Sequence, residues 1–326
     1  MSTILRSTYL MELITQIIQD VILGVIQGLT EFLPVSSSGH LNIAQHLMGM
    51  DDGGLFLDVM LHIGTLTAVF IFYHKLIWRL IKAFFLLVKD IFTGKFKWSK
   101  MDGDRNLIIM LFIGLLPLFA LFLPIPGTDM KIKDLADLFA QSKYFIVVGL
   151  SLLMTSILLL IGSICNKRNS GKHYKSDTES NYTGNGRTRY TVLDAVLVGI
   201  GQCFAAVFPG LSRSGTTLAV GEMRGINKQA ALDYTFILGI PSIIAAAALE
   251  IKDIDSATLN TCMPLAVVCG MLAAAVVGYF AIWLFKWLLK TDKMIVFIIY
   301  TAVIGLIVTA VSIWEMVSGT FVTLIH

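Results

Sequence analysis

Six apolar stretches of about twenty residues, near 60–80, 106–124, 143–165, 233–250, 262–285 and 294–316, restrict what this chain can fold into more than any other feature. Each is long enough to cross a bilayer as a helix. Of the 326 residues, 56% are hydrophobic and only 14% charged, and the mean hydropathy is +0.78. That balance excludes an ordinary water-facing surface and predicts an all-α polytopic membrane protein. The formal net charge of +3 says little, because the placement of Lys and Arg along the loops carries the information. Cys165, Cys203, Cys262 and Cys269 form no CxxC pair and lie in or beside apolar segments. They read as small membrane residues, not as a metal or disulfide framework. Residues 1–9 lack a basic region followed by an apolar core and a small-residue cleavage site, so no cleaved signal peptide is expected.

Two further apolar segments are interrupted by polar groups. Residues 10–33 contain Glu12, Gln16, Gln19, Asp20, Gln27 and Glu31, then break at Pro34 into Ser36, Ser37, Ser38, Gly39 and His40. Gln27 and Glu31 are four apart and share a helix face. A carboxylate, a histidine and three hydroxyls among aliphatic residues are costly to bury without partners. A surface amphipathic helix is one reading. The favoured one is a re-entrant helix that turns at Pro34 and returns through 40–50, with protein or a wet cavity around the break. The second interrupted segment, 191–224, holds FPGLSRSGTT at 208–217.

Lys75, Arg79, Lys82, Lys89, Lys95, Lys97, Lys100 and Arg105 make the connector 75–105 basic, and 166–190 is rich in Ser, Asn, Gly and basic residues. The latter reads as a flexible loop and topology signal, not a nucleic-acid patch. Placing 75–105, 166–190 and 286–293 inside leaves 125–142, 251–261 and the C-terminal tail outside, and the Lys/Arg excess then falls inside each time. The mouth of the first interrupted segment is then outside, and the second starts from the inside. Adding 175 to a residue number pairs Gly24 with Gly199, Gln27 with Gln202, Pro34 with Pro209, Ser37 with Ser212 and Asp58 with Asp233. The reading is one integral membrane domain over 1–326, built as an inverted repeat. Half one spans about 10–165, the loop 166–190, and half two about 191–316, each half with a re-entrant unit and three spans. Such repeats build one polar site near the midplane from both halves.

Arg213 sits in Ser212-Arg213-Ser214-Gly215-Thr216-Thr217, after Pro209-Gly210. A guanidinium at membrane depth needs an anion, and its planar fork suits phosphate or carboxylate. The hydroxyls and free N–H groups ahead of a helix add an anion nest. An arginine near a span end more often snorkels to the interface, but the helix break and the flanking serines favour an anion site.

These residues carry a resemblance. GLTEFLPVSSSGH at 28–40 and FPGLSRSG at 208–215 resemble the two signatures of the bacterial undecaprenyl-diphosphate phosphatase family, the bacitracin-resistance proteins, and the span pattern extends the likeness over nearly the whole chain. The resemblance implies hydrolysis of the lipid carrier's diphosphate to its monophosphate and inorganic phosphate, in the bacterial plasma membrane, with a site open to the outer face. It places the catalytic residues on Glu31, Ser37, His40 and Arg213, with Ser36, Ser38, Ser212, Ser214 and Thr217 binding substrate. Gln27 and Glu31 would hold a divalent cation, Mg²⁺ or Ca²⁺. Gln27 stands where many members carry a carboxylate, which weakens a tight metal site. His62 stands where members often carry Gln, and reads equally as a site residue or a packed one. Implied partners are a polyprenyl diphosphate, membrane lipids and a second copy in a homodimer, with no nucleic acid.

The chemistry agrees with that reaction, since a diphosphate leaving group needs its charge neutralised and phosphoryl transfer rests on positioning and electrostatics. Ser37 is a nucleophile only with a base, and His40, three residues on, is the nearest candidate in sequence. His40 attacking phosphorus directly, or protonating the leaving phosphate, stays open. SSSGH also resembles the PSGH piece of the acid-phosphatase-like lipid phosphatases, but their later histidine with an aspartate four residues on is absent. A transporter or flippase of a lipid phosphate is the competing class, since broken helices in inverted repeats serve both. A nucleophile would be superfluous there.

Overall fold

The computed structural model describes residues 2–49, 55–98, 101–140, 145–169, 182, 186–253 and 263–319. Cys262, most of the expected loop 166–190 and most of the connector 251–261 lie outside them. Among the described residues the chain is helical throughout, with no strand. The helices are α1 (Ser2–Phe32), α2 (Ser37–Leu47), α3 (Leu55–Phe72), α4 (His74–Phe92), α5 (Gly103–Leu115), α6 (Asp134–Ala140), α7 (Phe145–Asn169), α8 (Val192–Val207), α9 (Arg213–Met223), α10 (Lys228–Asp253), α11 (Pro264–Lys290) and α12 (Ile295–Ser318). Six are long and apolar enough to cross a membrane, or seven if the bent pair α3–α4 counts as one span. Large apolar side chains stay exposed along them, including Phe119, Leu272, Phe280, Trp283, Leu306 and Trp314. A contiguous apolar exterior of this kind belongs in lipid, and the chain is a multi-pass membrane protein.

The apolar pattern locates most spans closely, and three expectations need adjustment. The stretch 60–80 is not a straight helix: it breaks at Tyr73, and α4 leaves at 83° to α3. Tyr73 is buried and its hydroxyl donates to Asp233 at 2.8 Å, which pins the corner to α10. Beyond it, α4 buries only Leu80, Ala83 and Leu87 and carries Lys75, Arg79, Lys82 and Lys89. That is the pattern of a helix lying in the interface. The segment 10–33 is longer than the expected dip, since α1 runs unbroken for 31 residues. The expected span 106–124 changes character at Leu116, where Pro117 removes a helical donor and the last turns become a 3₁₀ helix (Leu116–Phe122).

Small residues decide how closely the central helices approach. Along α1, Gly24 and Gly28 face Gly270, Ala274 and Gly278 of α11, and a Cβ added to Gly24 would fall on the Gly270 carbonyl. One added to Gly28 would lie 2.7 Å from the Ala274 carbonyl oxygen. This is small-xxx-small packing, which in lipid supplies the dispersion contacts that the hydrophobic effect cannot. It holds the last turns of α1, and so Gln27 and Glu31, against a long fixed helix.

Candidate active site

Two helix–turn–helix units meet at their turns. In the first, Pro34 ends α1 and Ser36 caps α2, its hydroxyl accepting the Gly39 N–H at 3.2 Å. In the second, Ser212 caps α9 and accepts the Gly215 N–H at 3.0 Å. Each cap lies 3.3 Å from a second serine, Ser36 from Ser38 and Ser212 from Ser214. The turns also touch. Ser214 donates to the Leu33 carbonyl at 3.2 Å, and a Cβ on Gly39 would come within 2.9 Å of the Gly210 Cα. Gly210 has φ +95°, open to glycine, whereas Ser36 holds φ +72°, an uncommon conformation for a side chain to accept.

Glu31 is the hub of this junction, its side chain 3% exposed. Its Oε1 accepts from the Arg213 guanidinium. Its Oε2 accepts from Ser37 Oγ at 2.6 Å and from Gln27 Nε2 at 3.0 Å, and His62 Nε2 stands 3.6 Å away. The carboxylate therefore joins a hydroxyl from α2 to a guanidinium from α9. Behind Arg213 lies Gly239 of α10, where an added Cβ would sit 3.7 Å from a terminal guanidinium nitrogen, an ordinary contact. Ser37, Arg213 and His62 keep partial exposure, and Ser38 is open.

His40 is not placed to serve Ser37. Its Nδ1 lies 2.8 Å from the Ser36 carbonyl, which only accepts, so Nδ1 carries a proton. In the neutral ring Nε2 is then left to accept from the Tyr300 hydroxyl at 2.8 Å, with the two rings stacked 5.6 Å apart. The titratable group in contact with the Ser37 hydroxyl is the Glu31 carboxylate. His62 repeats the logic of His40, with Nδ1 against the Asp58 carbonyl at 2.7 Å and Nε2 turned to Glu31. Tyr300 was invisible in the sequence, because it meets His40 across 260 residues. No local pattern marks such a partner.

Other expected substrate ligands have structural duties. Thr217 is 1% exposed and donates to the Arg213 carbonyl at 2.9 Å, with Thr235 as a further partner, so it faces away from the junction. Ser36 and Ser212 are capping residues, and Ser214 ties the two turns together. The pairing also shifts. Phe32 and Val207 close α1 and α8 at the 175 offset, but Ser37 and Arg213 open α2 and α9 one residue further apart. The counterpart of Ser37 is thus Arg213, not Ser212, because the second turn carries one extra residue.

Among the described residues no three His, Cys, Asp or Glu side chains cluster as a metal cage. Gln27 Oε1, however, is buried with no hydrogen-bond partner, beside a carboxylate. A neutral oxygen and one carboxylate fit an ion that takes its other ligands from substrate phosphate and water.

The family model for the bacitracin resistance protein BacA matches residues 20–307. An undecaprenyl-diphosphatase of Alkaliphilus metalliredigens is 36% identical over 292 residues, covering 88% of this chain and 96% of that protein. The undecaprenyl-diphosphatase of Methanobrevibacter smithii is 36% identical over 296 residues, 90% of this chain and 96% of the relative. Undecaprenyl-diphosphatase 4 of Bacillus thuringiensis subsp. konkukian is 33% identical over 288 residues, 88% and 94% of the two chains. Matching interrupted segments, a carboxylate–arginine junction between them and this span of similarity agree: the chain belongs to the BacA bacitracin-resistance family.

Proposed function

We propose that this protein hydrolyses undecaprenyl diphosphate to undecaprenyl phosphate and inorganic phosphate, returning the lipid carrier to cell-wall synthesis and conferring resistance to bacitracin. The observation that carries the mechanism is Glu31 bridging Ser37 and Arg213. A serine hydroxyl is a weak nucleophile until a base takes its proton, and a carboxylate at 2.6 Å is within reach to do so. Ser37 Oγ attacks the terminal phosphorus as its proton passes to Glu31. The bond from that phosphorus to the bridging oxygen breaks, and undecaprenyl phosphate leaves with the electron pair. Water then cleaves the phosphoserine and releases phosphate. Arg213, freed from Glu31 by the arriving anion, clamps the transferring group with its planar fork. Gln27 Oε1 and Glu31 would hold a Mg²⁺ or Ca²⁺, which when bound supplies charge neutralisation at the diphosphate.

The site is read as opening to the outer face of the plasma membrane, because the Lys/Arg-rich connectors then lie inside. The chain is read as one inverted repeat over its whole length. Supporting it, both second helices start at a serine cap, α3 packs on α10, α7 packs on α12, and α1 meets α11 as α8 meets α5. Homodimerisation stays part of the proposal.

The test is release of inorganic phosphate from undecaprenyl diphosphate by the purified chain. Turnover lost in chelator and restored by Mg²⁺ or Ca²⁺ is expected, with Gln27→Glu lowering the metal concentration needed. No phosphate release under any condition would reject the enzyme in favour of a carrier of lipid phosphates. Full turnover in chelator would remove only the metal.

A further inference from the structure

A cavity of about 670 Å³ opens at the end of the bundle that carries the basic connectors, between the α3–α4 corner, the starts of α5 and α10 and the end of α11. It is separate from the Glu31–Arg213 junction. Phe32, Phe236 and Tyr73 form an aromatic partition between the two, with edge contacts at ring separations of 5.5 and 5.8 Å. The floor at Asp233 lies six residues along α10 from Gly239, about 9 Å on a helix.

The carboxylates of this cavity are already neutralised. Asp233 accepts from Lys286 Nζ and from the Tyr73 hydroxyl, each at 2.8 Å. Lys286 also lies over the Tyr73 ring, 4.8 Å from its centroid, so its charge is held in place. Asp104 pairs with Arg79 at 3.1 Å, and Asp102 caps α5 by accepting the Arg105 N–H at 2.8 Å. Lys75 and Lys290 line the same cavity without a carboxylate partner among the described residues. Phe72, Leu76 and Leu107 add apolar lining to the same cavity. Uncompensated ammonium groups in a cavity with apolar lining fit a phosphate group, free or on an amphiphile whose chain lies along that lining.

We propose that this cavity is a second anion site, binding a phosphate group through Lys75 and Lys290. The volume suits one small ligand or headgroup. The site goes beyond the hydrolytic centre and does not depend on it. The experiment follows thermal unfolding of the purified full chain in neutral detergent with added phosphatidylglycerol, inorganic phosphate or phosphatidylcholine. A saturable rise with phosphatidylglycerol alone identifies a headgroup site, and a rise with inorganic phosphate as well identifies the phosphate itself. In Lys75→Gln/Lys290→Gln the apparent affinity should fall at least about tenfold. Lys290→Glu should weaken it further, and Arg213→Gln should leave it intact. A rise that survives both lysine variants, vanishes in Arg213→Gln, equals that with phosphatidylcholine or never occurs would overturn the proposal.

Discussion

At the scale of single residues, the junction rests on one carboxylate doing two jobs. Arg213 bonds Glu31 through one terminal nitrogen, and its planar fork suits a phosphate bidentately, so Arg213→Lys keeps charge but loses that fork. Turnover should fall at least about tenfold, roughly 1.4 kcal/mol of transition-state stabilisation. Near-parental phosphate release in a folded lysine variant would reduce Arg213 to a structural ion pair. As the proposed nucleophile and base, Ser37 and Glu31 would act as a unit, so Ser37→Ala, Glu31→Gln and the double variant should be similarly inactive. Acid-quenched enzyme given labelled substrate should hold acid-stable label on Ser37, whereas acid-labile label on His40 would show the imidazole attacking instead. The sequence exposed these residues because charge in an apolar setting stands out: Glu31, Arg213 and the serine runs are conspicuous among Leu, Ile and Val. It did not show which group Ser37 touches, because adjacency in sequence is not adjacency on a helix: Glu31 bonds Ser37, whereas His40 bonds Ser36 and Tyr300. His40 lies one turn beyond Ser37's cap, and that turn aims its ring at Tyr300.

At the scale of elements, the helices were legible where apolar residues continued for some twenty positions. The corner at Tyr73 was not, since apolar composition runs across it and the cause is a hydrogen bond to Asp233 on α10. A second long-range tie fixes the start of α8 to the end of α9. Asp194, fully buried, closes a capping box with Thr191 and accepts from Arg187 at 3.0 Å and Arg224 Nε at 2.8 Å. Burial raises its carboxyl pKa, but the arginine and threonine donors outweigh that and hold it below the ordinary value. A depressed carboxylate stabilises the fold above its unfolded pKa of about 4, and that contribution is lost as pH falls through the lower folded value. Asp194→Asn should cost about 2–3 kcal/mol near neutrality, with the gap to the parent closing in strong acid. Thermal unfolding of both chains between pH 7 and pH 3 measures it, and a constant gap would mean that the charge is immaterial.

At the scale of the whole molecule, the placement of Lys and Arg makes the two faces unlike. Single cysteines at Lys97 and Asp253, in a background without native cysteines, should label from opposite sides of the membrane. Labelling from one side would break the inverted arrangement. The 175 offset passed over the extra residue in the second turn, because pairs beyond that turn, such as Asp58 with Asp233, keep the same offset. Ser37 and Arg213 occupy the same station, the first residue after a serine cap. A chain assembled from two copies of either half would carry two serines or two arginines there, never one of each. In the proposed inverted repeat that station carries the hydroxyl in one half and the guanidinium in the other, and both reach the same carboxylate, Glu31.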